Sequence, residues 1–334
     1  MPTATLTLFA LATGAAAAPR ADLLDASYPR TTAAALRAEA RINDAPQVPF
    51  VNFSDGYVQA ALSSPTDWVA RGAVTAVKDQ GLHGYCGTFG RVGSAEGQWA
   101  LRSGQGLASF SEEMLIDCIG WDRDQYSYFA PRGFMTSAAY PYNESAYPDQ
   151  DPPIPGNPCK FDARGVVKGT AGFFTFRTGE APDEAQLAAF IHHNGPVSAG
   201  IDASVFALRE PGCEARGDCF INATACASVS PSIDHSILLV GYGTDPVRGP
   251  FWKIKNSWST QFANQGYINV ARGVACAGLC GDPSICGNVF GHGSNASYTS
   301  DGGAADARRS QSLLQKIVLI ILEMSFFPPL AACC

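Results

Sequence analysis

Apolar and polar positions change their period part-way along the chain, and the change divides the sequence into two parts of different character. From Val166 onward short apolar runs dominate. They carry the β-branched and aromatic residues that suit strands: Thr170 to Phe176, Val197 to Ile201, His235 to Tyr242, Phe251 to Lys255 and Tyr267 to Val270. One amphipathic helix interrupts them, expected over Asp183 to His193, with Pro182 introducing it and Gly195-Pro196 ending it. His192 and His193 stand in its last turn, where cations complement the helix dipole, so both read as cap residues. Between Asp67 and about Phe161 the chain reads as mostly helical. One helical segment opens at Cys86, and Ser111 is an N-cap followed by Glu112 and Glu113 in the favourable first turn. A helical part followed by a strand-rich part predicts an α+β fold.

The two ends differ from this body. Thr3 to Ala17 is apolar, Ala-rich and ends in small residues, which fits a secretory signal over 1–18, although a positively charged leader is lacking. Residues 19–66 are charged and Ala-rich, with a short helix expected over Ala33 to Ala40. The tail from 293 to 334 is polar and Gly/Ala-rich before an apolar run, Leu313 to Leu322, that contains Lys316 and is too short to span a membrane.

Composition narrows the function classes. The 334 residues are 46% hydrophobic and 16% charged, enough to bury a real core. A net charge of -7 and a pI near 5.2 give no footprint for nucleic acid or an anionic membrane. Eleven cysteines are too many for a typical cytosolic enzyme, and sequons at Asn52, Asn143, Asn222 and Asn295 fit an oxidising, secretory compartment. No Cys/His spacing resembles a zinc site. Cys213 and Cys219 lie in an insertion, Ala207 to Ser232, and are close enough in sequence to bridge each other.

The candidate chemistry sits in Lys78 to Gly90, where a Gly-rich loop runs into the first helical segment at Cys86. A helix N-terminus lowers a cysteine pKa, and an adjacent imidazole would complete the activation of the thiolate. The plainer reading is a buried or disulfide-bonded cysteine. Two later segments favour the reactive reading. His235 opens an apolar run that reads as a buried strand, and Asn256 closes a second one, Phe251 to Lys255.

Together these segments resemble the papain family of cysteine proteases. Asp67-Trp68, Gly72 to Thr75 and Val77 to Gly81 are similar to the family's mature N-terminus, and Ser111 to Cys118 to its second helix. Tyr140-Pro141-Tyr142, Asn194 to Val197, Asn256-Ser257-Trp258 and Gly266-Tyr267-Ile268 match further tracts. The resemblance covers about 67–292. It implies a papain-like two-domain fold, a helical part over about 67–165 and a β-barrel-like part over about 166–292, with the active-site cleft between. Residues 19–66 would be a short inhibitory propeptide. Cys86 would be the nucleophile, His235 the base, Asn256 its orienting partner and Gln80 an oxyanion donor. Gly133 would pair its backbone with substrate, and Trp258 would shield the His235–Asn256 bond. Cys118 would bridge Cys159, and Cys226 would bridge Cys276 or Cys280. The resemblance implies a protein or peptide substrate, cystatin-like inhibitors, no cofactor and no metal, and a monomer in the lysosome, vacuole or extracellular space. No tract resembles the occluding loop of the carboxydipeptidase branch, which implies an endopeptidase.

The departures are specific. The family's local signature has a cysteine where His83 stands and a large ring where Gly87 stands. His83 therefore removes one half of a bridge, and Pro131-Arg132-Gly133-Phe134 lacks the other half, so no orphan thiol results. Arg132 would also crowd the wall formed by Gly133. Gly87, Gly90 and Gly93 each cost about 1 kcal/mol in a helix interior relative to Ala, which predicts a weak catalytic helix. Most of the family helix after Gly133 to Ala138 is missing, which leaves apolar surface to be covered by something else. These features define the alternative reading, a catalytically inactive papain-like secreted binding protein.

Overall fold

The computed structural model describes residues 53–120, 125, 133–143, 157–167, 172–175, 183–279 and 287–290. The expected signal segment, the tail from 293, Arg132 and Cys280 lie outside the described residues.

Local capping rules set most element boundaries. Helix α1, Asp55–Leu62, starts at Ser54, whose hydroxyl accepts the Tyr57 N–H, and strand β1, Thr66–Asp67, follows at once. Helix α2, Cys86–Arg102, is the longest described helix, and α3, Glu112–Ile119, begins where Ser111 accepts the Met114 N–H. Gly120, at φ +86°, ends α3. Strands β2, Phe134–Met135, and β3, Val166–Val167, then pair antiparallel. After β2 the chain makes one turn, closed by the Tyr140 N–H on Thr136 O at 3.0 Å, and no helix follows within 136–143. Phe161 and Val166 pack instead against the apolar cluster that contains Phe134, Met135 and Tyr140. The segment around Cys159, stapled to Cys118, thus contributes to the cover of that cluster.

Strand β4 is described over Gly172–Thr175, and residues 170, 171 and 176 of the expected run lie outside the described residues. Helix α4, Glu184–Asn194, begins just after Asp183, which is its cap: the carboxylate accepts the Gln186 N–H at 2.7 Å. There follow β5, Val197–Ile201, helix α5, Cys213–Arg216, β6, Phe220–Ile221, and α6, Ala223–Ala227. Strands β7, His235–Asp245, β8, Gly249–Lys255, β9, Tyr267–Ala271, and β10, Gly287–Phe290, complete the description.

Eight strands form one sheet in the order β4-β10-β5-β7-β8-β9-β6, with β1 also pairing β7. Only β6 and β9 run parallel among the described pairs. The expected α+β, papain-like fold is present, but the barrel-like body is an open sheet. Among the described residues its outer strands, β4 and β6, do not pair with each other, whereas barrel closure needs a continuous ladder.

Two apolar clusters correspond to the two parts. Val92, Ala95, Trp99, Phe110, Met114 and Leu115 pack with β2 in the helical part, while the larger cluster lies on the sheet. Phe53, Val58, Ala61, Trp68 and Ala73 belong to the sheet cluster, although they precede α2 in sequence. His192 and His193 stand in the last turn of α4 as expected, and both also make contacts across the fold. The Thr66 hydroxyl lies 2.8 Å from His192 Nδ1 and the Tyr57 hydroxyl 3.1 Å from His193 Nδ1. Burial lowers both imidazole pKa values, reinforced by Arg71 near His192 and Arg102 near His193.

The glycines of α2 have a different meaning from a weak helix. A Cβ on Gly90 would lie 2.6 Å from Ser198 Oγ and 2.8 Å from Ser236 Oγ, and one on Gly93 3.0 Å from a Leu238 methyl. A Cβ on Gly97 would meet the Pro196 ring at 2.8 Å. These positions let α2 approach β5 and β7 more closely than alanine permits. We therefore expect Gly97→Ala to lower stability by about 1–3 kcal/mol through overpacking, despite a helix-propensity gain of about 1 kcal/mol. Urea unfolding of the two proteins measures the sign, and a more stable variant would show that the approach is loose.

Candidate active site

Cys86 is the first residue of α2 and is 1% exposed. Hydrogen bonds hold the loop that leads to it. The Asp79 carboxylate accepts the Gly81 N–H at 3.0 Å, where Gly81 takes a left-handed φ of +63°. The His83 carbonyl accepts both the Gln80 side-chain amide and the Tyr85 N–H, each at 2.8 Å. The position that lost a bridging cysteine is therefore a hub of this loop, and its buried ring lies 5.8 Å from that of Tyr85.

His235 opens β7, and Asn256 directly follows β8. The two strands pair antiparallel, with a register shift between Leu239 and Gly241. His235 Nε2 lies 2.8 Å from Asn256 Oδ1, which also accepts the Ser257 N–H at 2.8 Å. An atom that accepts a backbone N–H is the amide oxygen, so His235 Nε2 carries the proton in that contact. In the neutral imidazole Nδ1 is then the basic nitrogen. Trp258 stacks over the imidazole at a centroid distance of 4.6 Å and a tilt of 31°, and Phe206 meets it edge-on at 6.2 Å. Burial drives the His235 pKa down to about 4, with the Asn256 hydrogen bond pulling the other way.

Several contacts tie the two walls together. The Gln80 N–H donates to Ser257 O at 2.8 Å, and Asp79 forms an isolated antiparallel bridge with Trp258. Ser257 Oγ donates to Gln80 Oε1 at 2.6 Å, and Tyr142 donates to Gln80 O at 2.7 Å. Gly90, one turn beyond Cys86, faces Ser236, the neighbour of His235. Gln80, His235, Asn256 and Trp258 thus form one bonded and stacked group, with the start of α2 beside it. Gly133, at φ +85°, directly precedes β2.

Behind this group lies a buried charge cluster that no sequence motif announces. Lys78 Nζ pairs with Glu96 at 2.7 Å and with Glu112 at 2.6 Å. Glu96 also accepts the Thr75 hydroxyl at 2.5 Å and the Phe110 N–H at 2.8 Å, and Lys255 donates to Thr75 at 3.1 Å. Burial lowers Lys255 to about 8 and raises Glu112 to about 7, opposed by Glu96 and Lys78 respectively. Burial also presses Lys78 down, but Glu96 and Glu112 outweigh it and its pKa is raised. The available signal is Lys255 at the end of the mostly apolar run that also holds Lys253, since a buried charge requires a partner. Phe206, in the segment between β5 and α5, and Ser257 carry no comparable signal.

Cys118 is bonded to Cys159, Cys213 to Cys219 and Cys226 to Cys276. Cys86 is the described cysteine that takes part in no disulfide. Cys213, Glu214 and Cys219 converge closely enough to suggest a metal site, but both sulfurs are consumed by their disulfide. No described helix is long and apolar enough to cross a membrane.

Residues 62–285 match a family profile described as papain family cysteine protease. The chain is 35% identical over 224 residues to digestive cysteine proteinase 2 of Homarus americanus, covering 63% of this chain and 62% of that protein. A Cathepsin L-like protein of Caenorhabditis elegans is 35% identical over 213 residues, covering 62% of this chain and 58% of that one. The chain therefore spans about three fifths of the length of these curated relatives. Digestive procathepsin L 3 of Tenebrio molitor superimposes with a TM-score of 0.56 at 29% identity, covering 76% of this chain and 77% of the other. The proform of the ragweed pollen cysteine protease Amb a 11 gives 0.57 at 26% identity, with coverage of 79% and 76%.

Glu96→Gln is expected to cost roughly 3–5 kcal/mol, because it leaves Lys78 and Lys255 short of a buried counter-charge. Denaturant unfolding checks this; a change below about 1 kcal/mol would mean that water compensates the cluster.

Proposed function

The chain belongs to the papain family of cysteine proteases, and on that premise we propose that it is an endopeptidase with Cys86, His235 and Asn256 as its catalytic triad. The observation that carries this reading is the His235 Nε2 contact to Asn256 Oδ1 at 2.8 Å, because it selects the tautomer with a basic Nδ1. His235 takes the proton of Cys86, and the resulting thiolate attacks the scissile carbonyl carbon. Gln80 uses one amide hydrogen on His83 O and retains a second. That hydrogen and the Cys86 N–H stabilise the oxyanion; one such donor is typically worth about 10²- to 10³-fold in rate. The tetrahedral intermediate collapses as His235 gives its proton to the leaving amine. Water, deprotonated by His235, then attacks the thioester, and expulsion of the sulfur regenerates the enzyme.

The remaining residues support this assignment. Trp258 and Phe206 keep water from the His235–Asn256 bond, which strengthens it in a low dielectric. Gly133 is the backbone site for an extended peptide, since glycine at φ +85° leaves room for close approach. Hydrogen bonding around His83 replaces the missing bridge, and the close packing of α2 accounts for Gly90. No observation favours the inactive binding protein.

The solved relatives include a procathepsin and a proform, which supports a zymogen whose leading segment is removed. Three disulfides fit passage through an oxidising compartment, toward a lysosome, vacuole or the extracellular space. Proteins or peptides are the proposed substrates, and cystatin-like proteins the proposed inhibitors of a monomer.

Labelling with an epoxysuccinyl peptide should place an adduct on Cys86 that His235→Ala prevents, and Cys86→Ser should abolish hydrolysis with all three bridges intact. Hydrolysis by Cys86→Ser at the parent rate would remove the mechanism. Asn256→Ala should reduce kcat/KM less than His235→Ala, because it removes an orienting group and leaves the base; the opposite ranking would reverse the two roles. The acid limb of kcat/KM should fall near pH 4, where His235, its pKa lowered by burial, takes up a proton and no longer serves as the base. A limb centred near 6.5 would mean a solvated imidazole.

A further inference from the structure

Helix α1 lies on the propeptide side of the expected boundary at 66, yet it is built into the sheet part. Phe53 is clasped through its backbone: its N–H donates to Gln186 Oε1 at 2.8 Å, and its carbonyl accepts from Gln186 Nε2 at 3.0 Å. The Phe53 ring stacks on Tyr57 at 5.0 Å and lies 6.0 Å from His193, which the Tyr57 hydroxyl approaches at 3.1 Å. At the other end Tyr242 donates to Ala61 O at 2.8 Å. Gln186 and His193 belong to α4, and Tyr242 belongs to β7, the strand that opens with His235. Phe53, Val58 and Ala61 are buried in the same core as that strand.

The loop joining α1 to β1 is exposed at Ser63, Ser64 and Pro65, but it is short and already bonded. The Ser63 N–H donates to Gln59 O and the Ser64 N–H to Ala61 O, while Thr66 pairs with Tyr242 in the sheet. Pro65 has no N–H to give to an extended substrate pairing. A protease that engages this loop must draw several residues into extended form, which first requires α1 or β1 to undock. Cleavage under such conditions follows the population of the opened state.

We propose that residues 53–62 remain covalently part of the processed catalytic domain, and that the maturation cut lies ahead of Phe53 and not in the α1–β1 loop. This rests on the zymogen reading above. The retained segment acts as a strap that clamps α4 against β7.

The test separates the strap from the activity. The full-length Cys86→Ser chain is digested with proteinase K at pH 7.5, and the N-terminus of the resistant core is read by mass spectrometry. A core beginning at or before Phe53 is expected, and one beginning anywhere from 54 to 67 overturns the proposal. In Phe53→Ala/Val58→Asp the cut should move into 63–65 and form at least tenfold faster, with the core from 67 still resistant. Gln186→Ala should give the same shift more weakly. If the loop resists equally in all three chains, its own geometry protects it and the strap does not. The wild-type chain after acid activation should carry the same N-terminus as the resistant core, and a start within 63–67 overturns the proposal. Failure of the peptidase reading would appear instead as absent hydrolysis and absent Cys86 labelling, with the digestion pattern unchanged.

Discussion

A helix can lie close against a sheet only where the residues it presents are small, and that constraint governs the geometry of this protein. Gly90, Gly93 and Gly97 recur at helical spacing on α2 and face Ser198, Ser236, Leu238 and Pro196. The helix carries Cys86 at its start, and β7 carries His235 at its start. Any residue that pushed α2 away from β7 would therefore separate the proposed nucleophile from the proposed base. Even a displacement of about 1 Å can cost on the order of 10²-fold in rate when reacting groups must be aligned. The loss of helix propensity at these positions, about 1 kcal/mol each, is the smaller effect.

The polar ties across the interface complete what the packing begins. Ser257 lies between the two sides: its hydroxyl holds Gln80, its carbonyl accepts the Gln80 N–H, and its own N–H fixes the Asn256 amide. Behind it Lys78, Glu96, Glu112 and Lys255 join α2, α3 and β8 through charges withdrawn from water. Such a cluster contributes little net stability compared with an apolar replacement, but removing one member is costly. It therefore resists small relative movements of the helices and the sheet.

Chemistry and local structure are more legible in this sequence than contacts are. Asp183 and Ser111 can be read as helix starts because a cap is a local interaction between a side chain and an N–H two or three residues away. His235 at the start of an apolar run, and Asn256 at the end of another, can be read because buried strands have a distinctive composition. The glycines of α2 mislead, since propensity is local and the partner strands are about a hundred residues away in sequence. The contacts of the histidines at the end of α4 are hidden for the same reason: Tyr57 and Thr66 cannot be placed beside them without the fold. The partners of Lys78 are likewise invisible, although a lysine beside the candidate oxyanion donor is a reason to look for them.

Burial gives the candidate pair its chemical character. A low-dielectric site disfavours any isolated charge, so His235 alone holds its proton only below about pH 4. The same environment disfavours a lone thiolate. A thiolate and an imidazolium together carry no net charge, and their attraction is stronger where water is excluded. Burial thus opposes each ion separately, and on the proposed mechanism a neutral thiolate–imidazolium pair is the ionised form it opposes least. The His235–Asn256 contact matters here because it stabilises the imidazolium while fixing which nitrogen faces the exchange. Trp258 and Phe206 pack on the imidazole beside that contact, so in the proposed mechanism aromatic packing on one side of the ring supports proton transfer on the other.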